Sequence, residues 1–405
     1  MSNNYELIPS CLCCNKENKL FLDLKEQPLA NNYHTKDEVC DIYPLKLMFC
    51  SNCFHSQLSH AVNPEIMFKT YKYVSGTSQT GINFFRDNAN FITDYKKKIG
   101  KILDIASNDG TQLDFFKNLG WKTFGVDPAV NLCPIAINKG HTIICDFWNE
   151  TSAKELSIMD VITAQNVFAH TQYINEFLQN CKFVMDDKTS LFIQTSQKNM
   201  IINCEFDTTY HEHISFFNTL SMKTLVERNG LFLNKIFESD IHGISYIFEI
   251  NTVFKSENNN IEKYLIEETE NKVYDPLTYH DFSIKAQNII FNLKNELLRF
   301  QKDDYKIIGF GAAAKGQTIL CYSNIYLDYI IDENPLKINL YSPKMNIPIV
   351  SIDHFINDTT DKIVVLILAW NFSNEIKEKL RFYKGTKDIY VIESYFPEII
   401  IRKLY

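Results

Sequence analysis

The sequence lacks the clustered cations of a nucleic-acid binder. Among 405 residues there are 41 Lys or Arg against 49 Asp or Glu, a formal charge of −8, and the longest basic run is Lys96 to Lys98. Neutralising a phosphate backbone needs more than that, so no nucleic-acid partner is expected. Long apolar runs are also missing. The longest, Ile363 to Trp370, falls far short of the roughly 20 residues that span a bilayer, so a soluble chain with no membrane partner is expected. Met1 to Pro9 has neither a basic n-region nor an apolar h-region, which makes a reducing cytoplasm the expected setting. What the chain does have is 45% hydrophobic and 13% aromatic residues, enough to exclude wholesale disorder. Its length corresponds to about two or three domains.

Eleven cysteines in a reducing setting need an explanation other than disulfides. Six lie in the first 53 residues: Cys11, Cys13, Cys14, Cys40, Cys50 and Cys53. Cys11-x-x-Cys14 and Cys50-x-x-Cys53 each set two thiolates on one side of a tight turn, and four thiolates can close a tetrahedral zinc site. The 35 residues between the knuckles exceed the usual zinc-ribbon gap, yet loop length costs little closure entropy. The alternative is a chance grouping of free cysteines; Cys13 and Cys40 read as spares. Four thiolates leave no open coordination position, so the expected zinc is structural and supplies folding energy to a small segment.

Downstream, Lys101-Ile-Leu-Asp104-Ile-Ala106-Ser-Asn108-Asp109-Gly110 reads as a strand and a small-residue turn, with a helix from Gln112 to Leu119. A strand over Lys122–Val126 ends in Asp127. A helical stretch over Ala129–Lys139 and strands over His141–Cys145, Asp160–Ala164 and Ser190–Thr195 continue the alternation of a doubly wound parallel sheet. In such sheets ligands bind beyond the carboxyl ends of the strands. Asp127 is placed to accept ribose hydroxyls and Asp146 to meet an adenine edge. There is no GxGxxG, and Asp104 leads the loop, which suits a cationic adenosine ligand such as S-adenosylmethionine better than a pyrophosphate. A helix around Leu220–Asn229 and extended segments at Leu231–Phe237 and Gly243–Val253 give a terminal hairpin, typical of class I methyltransferases.

Lys255 to Asn260 is a polar, turn-rich linker, and Tyr279 to Phe300 carries Phe282, Ile289, Leu293 and Leu297 at helical spacing. A second strand–turn–helix unit follows: strand Tyr305–Phe310, turn Gly311-Ala312-Ala-Ala-Lys315-Gly316, a helix, and strand Leu327–Ile331 ending in Asp332. Strands at Ile363–Ala369 and Ile389–Ile392 complete another nucleotide-type fold, and two tandem sheets suggest internal duplication. Backbone N–H groups at the helix start, together with Lys315, would meet a diphosphate. The alternatives are a turn that only packs on its own helix and a redox-cofactor site with Asp332 on the ribose.

Two polar stretches look chemical. Gln165-Asn166-Val-Phe-Ala-His170 ends a central strand, and Thr209-Tyr210-His211-Glu212-His213 lies in the excursion after Thr195. Histidine takes a proton near neutral pH, and a neighbouring carboxylate can fix its tautomer. A metal held by His211 and His213 is an alternative, as is a purely structural His170. The polar aromatic patch Tyr71 to Ser78 reads equally as packing or as part of a site.

Taken together, the chain resembles the zinc-containing C-methyltransferases of nucleotide-linked deoxysugars. The likeness rests on the paired CxxC knuckles, Tyr71 to Ser78, Leu103 to Gly110, Gly125-Val-Asp127-Pro128, Asn166 to His170, Tyr210-His-Glu-His213, Gly311 to Gly316 and Asp332-Glu-Asn-Pro335. It implies an α/β chain of three parts: a zinc-binding module (1–70), a central class I Rossmann-like methyltransferase domain (71–258) and a second Rossmann-like domain anchoring the nucleotide sugar (259–405). The cofactor loop would then use Asp104, Ala106, Asn108, Asp109, Gly110, Asp127, Asp146 and Asn166. Tyr73, Ser75, Ser78, Gly311, Ala312, Lys315 and Asp332 would bind substrate, and Cys11, Cys14, Cys50 and Cys53 would hold zinc. The resemblance makes His213 the base, with Tyr210, Glu212, His170 and Tyr71 lining the reacting sugar. Ala106 stands where the family's loop usually has glycine, and Ser342-Pro-Lys-Met-Asn346 replaces a glycine-containing turn.

The implied chemistry is coherent. A carbon beside a ketone is weakly acidic, so a histidine can remove its proton while Tyr210 and His170 stabilise the enolate oxygen. The expected reaction is C-methylation of a nucleotide-linked 4-keto-6-deoxy sugar, on carbon 3 or carbon 5, by a monomer or weak homo-oligomer. O- or N-methylation of a nucleotide sugar, or a non-catalytic nucleotide-sugar-binding scaffold, are the competing readings.

Overall fold

Strands and helices alternate after Gly100 as the sequence pattern predicts, and in the computed structural model all of these strands but Ser215–Phe216 build two sheets. The structure describes residues 4–69, 71, 74–77, 79–196, 199–240, 244–257 and 259–405; Tyr73 and Ser78, both expected on the substrate, fall outside this set. The chain divides into two units that are not contiguous in sequence. The first comprises Met1–Lys19, Met48–Lys198 and Ile214–Tyr274; the second comprises Leu20–Leu47, Asn199–His213 and Asp275–Tyr405.

The sheet of the first unit has seven strands: β1 (Lys101–Ile105), β2 (Lys122–Val126), β3 (Thr142–Ile144), β4 (Val161–Gln165), β5 (Ser190–Thr195), β6 (Phe232–Ser239) and β7 (Ser245–Asn251). Their spatial order is β3-β2-β1-β4-β5-β7-β6, parallel except for β7, which runs antiparallel to both β5 and β6. Successive residues along these strands feed opposite faces. Leu103, Ile162, Leu191 and Ile193 join one apolar cluster, whereas Ile102, Val161 and Phe192 join another with Ala89, Ile92 and Phe116. A sheet buried on both faces requires such continuously apolar strands, and each buried side chain of this size contributes about 1.5–3 kcal/mol. The expected helix over Ala129–Lys139 is shorter, Cys133–Asn138, because Pro134 has no N–H to donate and fits only the first turn. Against the expectation that no cysteine would pair, Cys133 in this helix is disulfide-bonded to Cys145, the residue after β3.

The N-terminal segment belongs to this same core. Strand Tyr5–Leu7 pairs with His60–Val62, Ser56 and Gln57 pair with Ser215 and Phe216, and the four CxxC cysteines lie in one apolar cluster with Leu103, Ile162 and Leu191.

The second unit's sheet contains β8 (Lys306–Phe310), β9 (Ile330–Ile331), β10 (Ile349–Val350), β11 (Lys362–Ile367), β12 (Asp388–Ser394) and β13 (Ile400–Leu404). Its order is β10-β9-β8-β11-β12-β13, with only β13 antiparallel. The expected strand from Leu327 pairs only at Ile330 and Ile331, since Asp328 is spent on the Ile307 backbone. Numbered from the first strand of each unit, both sheets share the order 3-2-1-4-5, as expected of tandem nucleotide-type folds. A helix over Pro276–Lys302 opens this unit, N-capped by Asp275 and buried through Phe282, Ile289, Leu293 and Leu297 at the spacing read from the sequence. No helix among the described residues is long and apolar enough to cross a membrane.

Candidate active site and metal centre

The two CxxC knuckles have the same local build. In each, the residue four after the first cysteine has positive φ (Asn15, 58°; Phe54, 55°) and donates its N–H to that cysteine's carbonyl at 2.8 Å. The turn so formed points both thiols to one side. Cys11 Sγ lies 3.6 Å from Cys53 Sγ, Cys14 Sγ is 3.4 Å from Cys50 Sγ, and Cys53 and Cys14 are 3.5 Å apart. All four sulfurs fall within 4.8 Å of one another. A tetrahedron of Zn–S bonds about 2.3 Å long has edges of about 3.8 Å, so the four sulfurs fit zinc with no further ligand. Gln57 bridges Leu12 N–H and the Ser10 carbonyl, and Asn175 donates to the Leu12 carbonyl, which ties the first knuckle to the helix Ile174–Phe183. Cys13 and Cys40 stand outside the sulfur cluster; Cys13 is fully buried in the core. Among the described residues the four cysteines are the one group of three or more His, Cys, Asp or Glu side chains placed to hold an ion, and neither His211 nor His213 is part of it.

Beyond β1, the turn from Ala106 to Gly110 is held open by left-handed residues. Ala106 (φ 62°) and Asn108 (φ 52°) precede Gly110 (φ 80°), where a Cβ would come within 2.9 Å of His141 and 3.0 Å of Ala136. Asn tolerates this region and Gly is at ease in it, whereas Ala106 bears a steric cost of about 1–2 kcal/mol. Asp127, at the end of β2, clamps the turn: its carboxylate accepts the Asn108 N–H and the Ala129 N–H, each at 2.8 Å. Asp104 faces inward and accepts from Gln112 (2.9 Å) and Thr163 (2.8 Å); burial pushes its carboxyl up to about 7. Asp109 accepts from the Thr111 hydroxyl, with Lys139 3.6 Å away. Ser75 donates its N–H to Asn108 Oδ1 at 2.9 Å, so it lies against the cofactor loop. Asp146 is exposed and accepts from Phe147 N–H and Asn149.

At the ends of β4 and β5 stand open hydrogen-bonding atoms, of which those of Gln165 and Asn166 lie in a stretch the sequence marked as chemical and those of Gln194 and Thr195 do not. Gln165 Oε1 and Nε2, Asn166 Oδ1, Gln194 Nε2, Thr195 Oγ1 and, after β1, Ser107 Oγ are buried without a partner among the described residues. Buried polar atoms are rarely left so unless a ligand or water meets them. Together with the clamped turn they fit a bound S-adenosylmethionine, with its amino and carboxylate groups and ribose, at the carboxyl edge where doubly wound sheets hold ligands. Asn166 (φ 52°) also donates to Gln194 Oε1 at 3.2 Å. His170 follows in the same segment, stacked on Phe68 at 6.0 Å, and Phe68 meets the Tyr71 ring edge-on at 5.7 Å. Burial holds the His170 imidazole down at about 4, so it is neutral near pH 7.

In the second unit the turn after β8 repeats the clamp. Asp332 accepts the Ala312 N–H at 2.7 Å and the Asn334 N–H at 2.8 Å. Gly311 (φ 84°) has no room for a Cβ, which would fall 2.7 Å from the Ala369 Cβ. Two residues missed in the sequence hold the same turn: Tyr33 and Lys337 donate to the Ala312 carbonyl at 2.5 and 2.8 Å. Lys315 places its ammonium 4.3 Å from the centre of the Trp370 ring.

The Tyr210–His213 turn also belongs to this unit. His213 Nδ1 lies 2.7 Å from the Thr208 carbonyl oxygen, and Nε2 lies 2.8 Å from the Tyr210 hydroxyl. A carbonyl only accepts, so Nδ1 carries the hydrogen and Nε2 presents its lone pair to the Tyr210 O–H. Burial, with Glu212 and Asp207 nearby, holds the Tyr210 phenol well above its usual range and hence protonated. Glu212 accepts from Asn31 at 2.6 Å, and His211 meets the Tyr43 carbonyl at 3.3 Å. Within the first unit, Ile214 N–H donates to the Ala169 carbonyl at 2.8 Å.

Three family models match in succession: "Putative zinc binding domain" at residues 11–68, "Methyltransferase domain" at 79–234 and "C-methyltransferase C-terminal domain" at 241–393. The chain is an S-adenosylmethionine-dependent methyltransferase with a four-cysteine zinc centre. More narrowly, the three matches run in succession along the chain and end in a domain described as that of a C-methyltransferase. It is 25% identical over 412 residues to the C-methyltransferase NovU of Streptomyces niveus, with 97% of each chain covered. Among solved structures it is similar to magnesium protoporphyrin IX methyltransferase from Synechocystis (12% identity, 42% of this chain and 79% of that one, TM-score 0.33). It is also similar to the PH0226 protein of Pyrococcus horikoshii (15% identity, 44% and 94%, TM-score 0.35).

Proposed function

We propose that the enzyme methylates carbon next to the ketone of a nucleotide-linked 4-keto-6-deoxy sugar, with His213 as the base. The observation that carries this reading is the fixed tautomer of His213: Nδ1–H is committed to Thr208 at 2.7 Å, which leaves Nε2 basic. C-methylation needs such a group, because carbon must first be made nucleophilic, whereas an O- or N-methyltransferase needs no enolate.

On this reading His213 Nε2 receives the proton that leaves the carbon as the Tyr210 O–H turns from it to the enolate oxygen, and the Thr208 carbonyl stabilises the resulting imidazolium through Nδ1–H. Neutral His170 and the phenol of Tyr210 donate to the enolate oxygen as its charge develops. Tyr71, Tyr73, Ser75 and Ser78 contribute to the sugar pocket, with Glu212 held in place by Asn31. Lys315, the Gly311–Ala312 turn and Asp332 anchor the anionic nucleotide. The first unit binds the methyl donor through Asp104, Ala106, Asn108, Asp109, Gly110, Asp127, Asp146 and Asn166. S-adenosylmethionine supplies an electrophilic sulfonium methyl. Zinc stays outside the chemistry, since four thiolates fill its coordination.

The test is to incubate the enzyme with S-adenosylmethionine and a panel of keto-sugar nucleotides, and to read product mass and the position of the new carbon by NMR. One added methyl on carbon is the expected result; methyl on oxygen or nitrogen, or none with any keto-sugar nucleotide, overturns the reading.

A further inference from the structure

We propose that Asp207 is a positioning residue for His213: it fastens the short helix Phe206–Thr208 to Trp370 and thereby fixes the carbonyl that orients the imidazole. The inference rests on the reading of His213 as base.

Asp207 is wholly buried, and no step of the mechanism uses it. A carboxylate is costly to bury unless it is paired, so its retention calls for a role. One oxygen, Oδ2, accepts the Trp370 indole N–H at 2.7 Å; the other, Oδ1, has no partner among the described residues. The field of Lys315, whose ammonium sits over the same indole ring, favours its charge. The neighbours of Asp207 are pinned one by one. The Phe206 ring packs edge-on against Phe396 at 5.4 Å and Tyr322 at 6.0 Å. Thr208 gives its carbonyl to His213, and Thr209 gives its carbonyl to the Thr318 hydroxyl at 2.9 Å. Of four consecutive residues, three are tied to the second sheet's helices and loops and the fourth holds the base.

The place of attachment matters. Trp370 follows β11 and Lys315 follows β8, the first and fourth strands of the second unit, between which the strand order reverses. Ligands of doubly wound sheets bind at this point. Asp207 therefore references the imidazole to the switch point of the second sheet. If the tie is cut, Thr208 is free to turn, the Nδ1 hydrogen bond loosens and the other tautomer becomes accessible.

The test compares Asp207→Ala, Asp207→Asn and Trp370→Phe in the full-length zinc-loaded enzyme, with His213→Asn alongside. Asp207→Ala and Trp370→Phe should each lower kcat by roughly 10- to 100-fold, the scale of a misplaced catalytic group. With Asp207→Ala the acceptor KM and the S-adenosylmethionine affinity should stay within about threefold. Asp207→Asn keeps an acceptor oxygen for the indole and should restore most of kcat. Nitrogen-15 NMR of His213 should show the Nδ1–H tautomer in wild type and Asp207→Asn, and a mixture in the other two variants. Wild-type kcat in Asp207→Ala, or lost kcat with an unchanged His213 tautomer, overturns the proposal. Should Asp207→Ala fail to fold, Trp370→Phe against Asp207→Asn decides it. An active His213→Asn would instead overturn the base assignment, while the tautomer signal still reports whether Asp207 holds the ring.

Discussion

The first turns of the two sheets share one clamp and differ in everything around it. In both units an aspartate at the end of the second strand accepts an N–H from the first turn and another from two residues beyond itself: Asp127 in one, Asp332 in the other. The clamp is therefore a device for holding a loop, and it does not by itself name a ligand. The surroundings do. The first turn carries Asp104, Asp109 and Asp127, with open amide and hydroxyl groups of Gln165, Gln194, Thr195 and Ser107 at the neighbouring strand ends. The second carries Ala312 and Ala313, with Lys337 on its carbonyl and Lys315 one turn on. One suits a sulfonium cation and the other an anion, from the same backbone plan.

The largest expected effect separates the units by stability. The four thiolates share an apolar cluster with β1, β4 and β5, so stripping zinc with a chelator, or Cys50→Ser, should lower the melting temperature by about 10 °C or more and abolish S-adenosylmethionine binding. Calorimetry that still shows donor binding to the zinc-free protein would break the claim of a shared core.

A reciprocal pair of variants sharpens the comparison further. Asp127→Ala frees the first turn and should weaken donor affinity by about 10- to 100-fold with little change in acceptor KM, while Asp332→Ala should do the reverse. Titration of the donor and acceptor saturation curves give both constants; if either variant moves both equally, the division of labour fails.

Each unit also buries a histidine held down at about 4, His170 and His211, and a carboxyl held up at about 7, Asp104 and Asp207. The unfolded histidines take protons first, so acidification from about pH 6.5 to about pH 4 removes stability. The folded aspartates keep protons that the unfolded chain releases, so their contribution falls as pH rises from about 4 to about 7. Asp104→Asn should therefore raise stability at pH 8 relative to pH 5 by about 2 kcal/mol, read from thermal melts at the two pH values. No difference between the two pH values would place the Asp104 charge outside the folding balance.

The smallest expected effect concerns Ala106. Its left-handed conformation favours glycine, but glycine loses more chain entropy on folding, so Ala106→Gly should change stability by no more than about 1 kcal/mol and leave acceptor KM alone. A larger loss would show that the Ala106 methyl packs against bound donor.

Local signals in the sequence accounted for much of this anatomy. The CxxC spacing led directly to the sulfur cluster, and the small-residue turn after an apolar run located the first strand of each sheet, because both depend on neighbours in sequence. What could not be read was anything assembled from afar. Tyr33 and Lys337 meet on the Ala312 carbonyl across some 300 residues of chain, and Trp370 reaches Asp207 across 163. Asp207 drew no reading from the sequence, because nothing local marks it as buried. The division into units was equally hidden, since strand Ile42–Cys50 passes from the second unit into the first within a single element. Pro134 did carry a legible signal, a helix start, that an apolar periodicity beginning at Ala129 obscured.

The central claim is that an imidazole of the second unit makes carbon nucleophilic before any methyl moves. It is tested most directly by incubating the enzyme with a keto-sugar nucleotide in deuterium oxide, without methyl donor, and following loss of the proton beside the ketone by NMR. The account predicts exchange with the wild-type enzyme and none above background with His213→Asn, whose donor affinity should stay normal. Exchange that persists in His213→Asn, or is absent from a wild type that still methylates the same sugar, would contradict it.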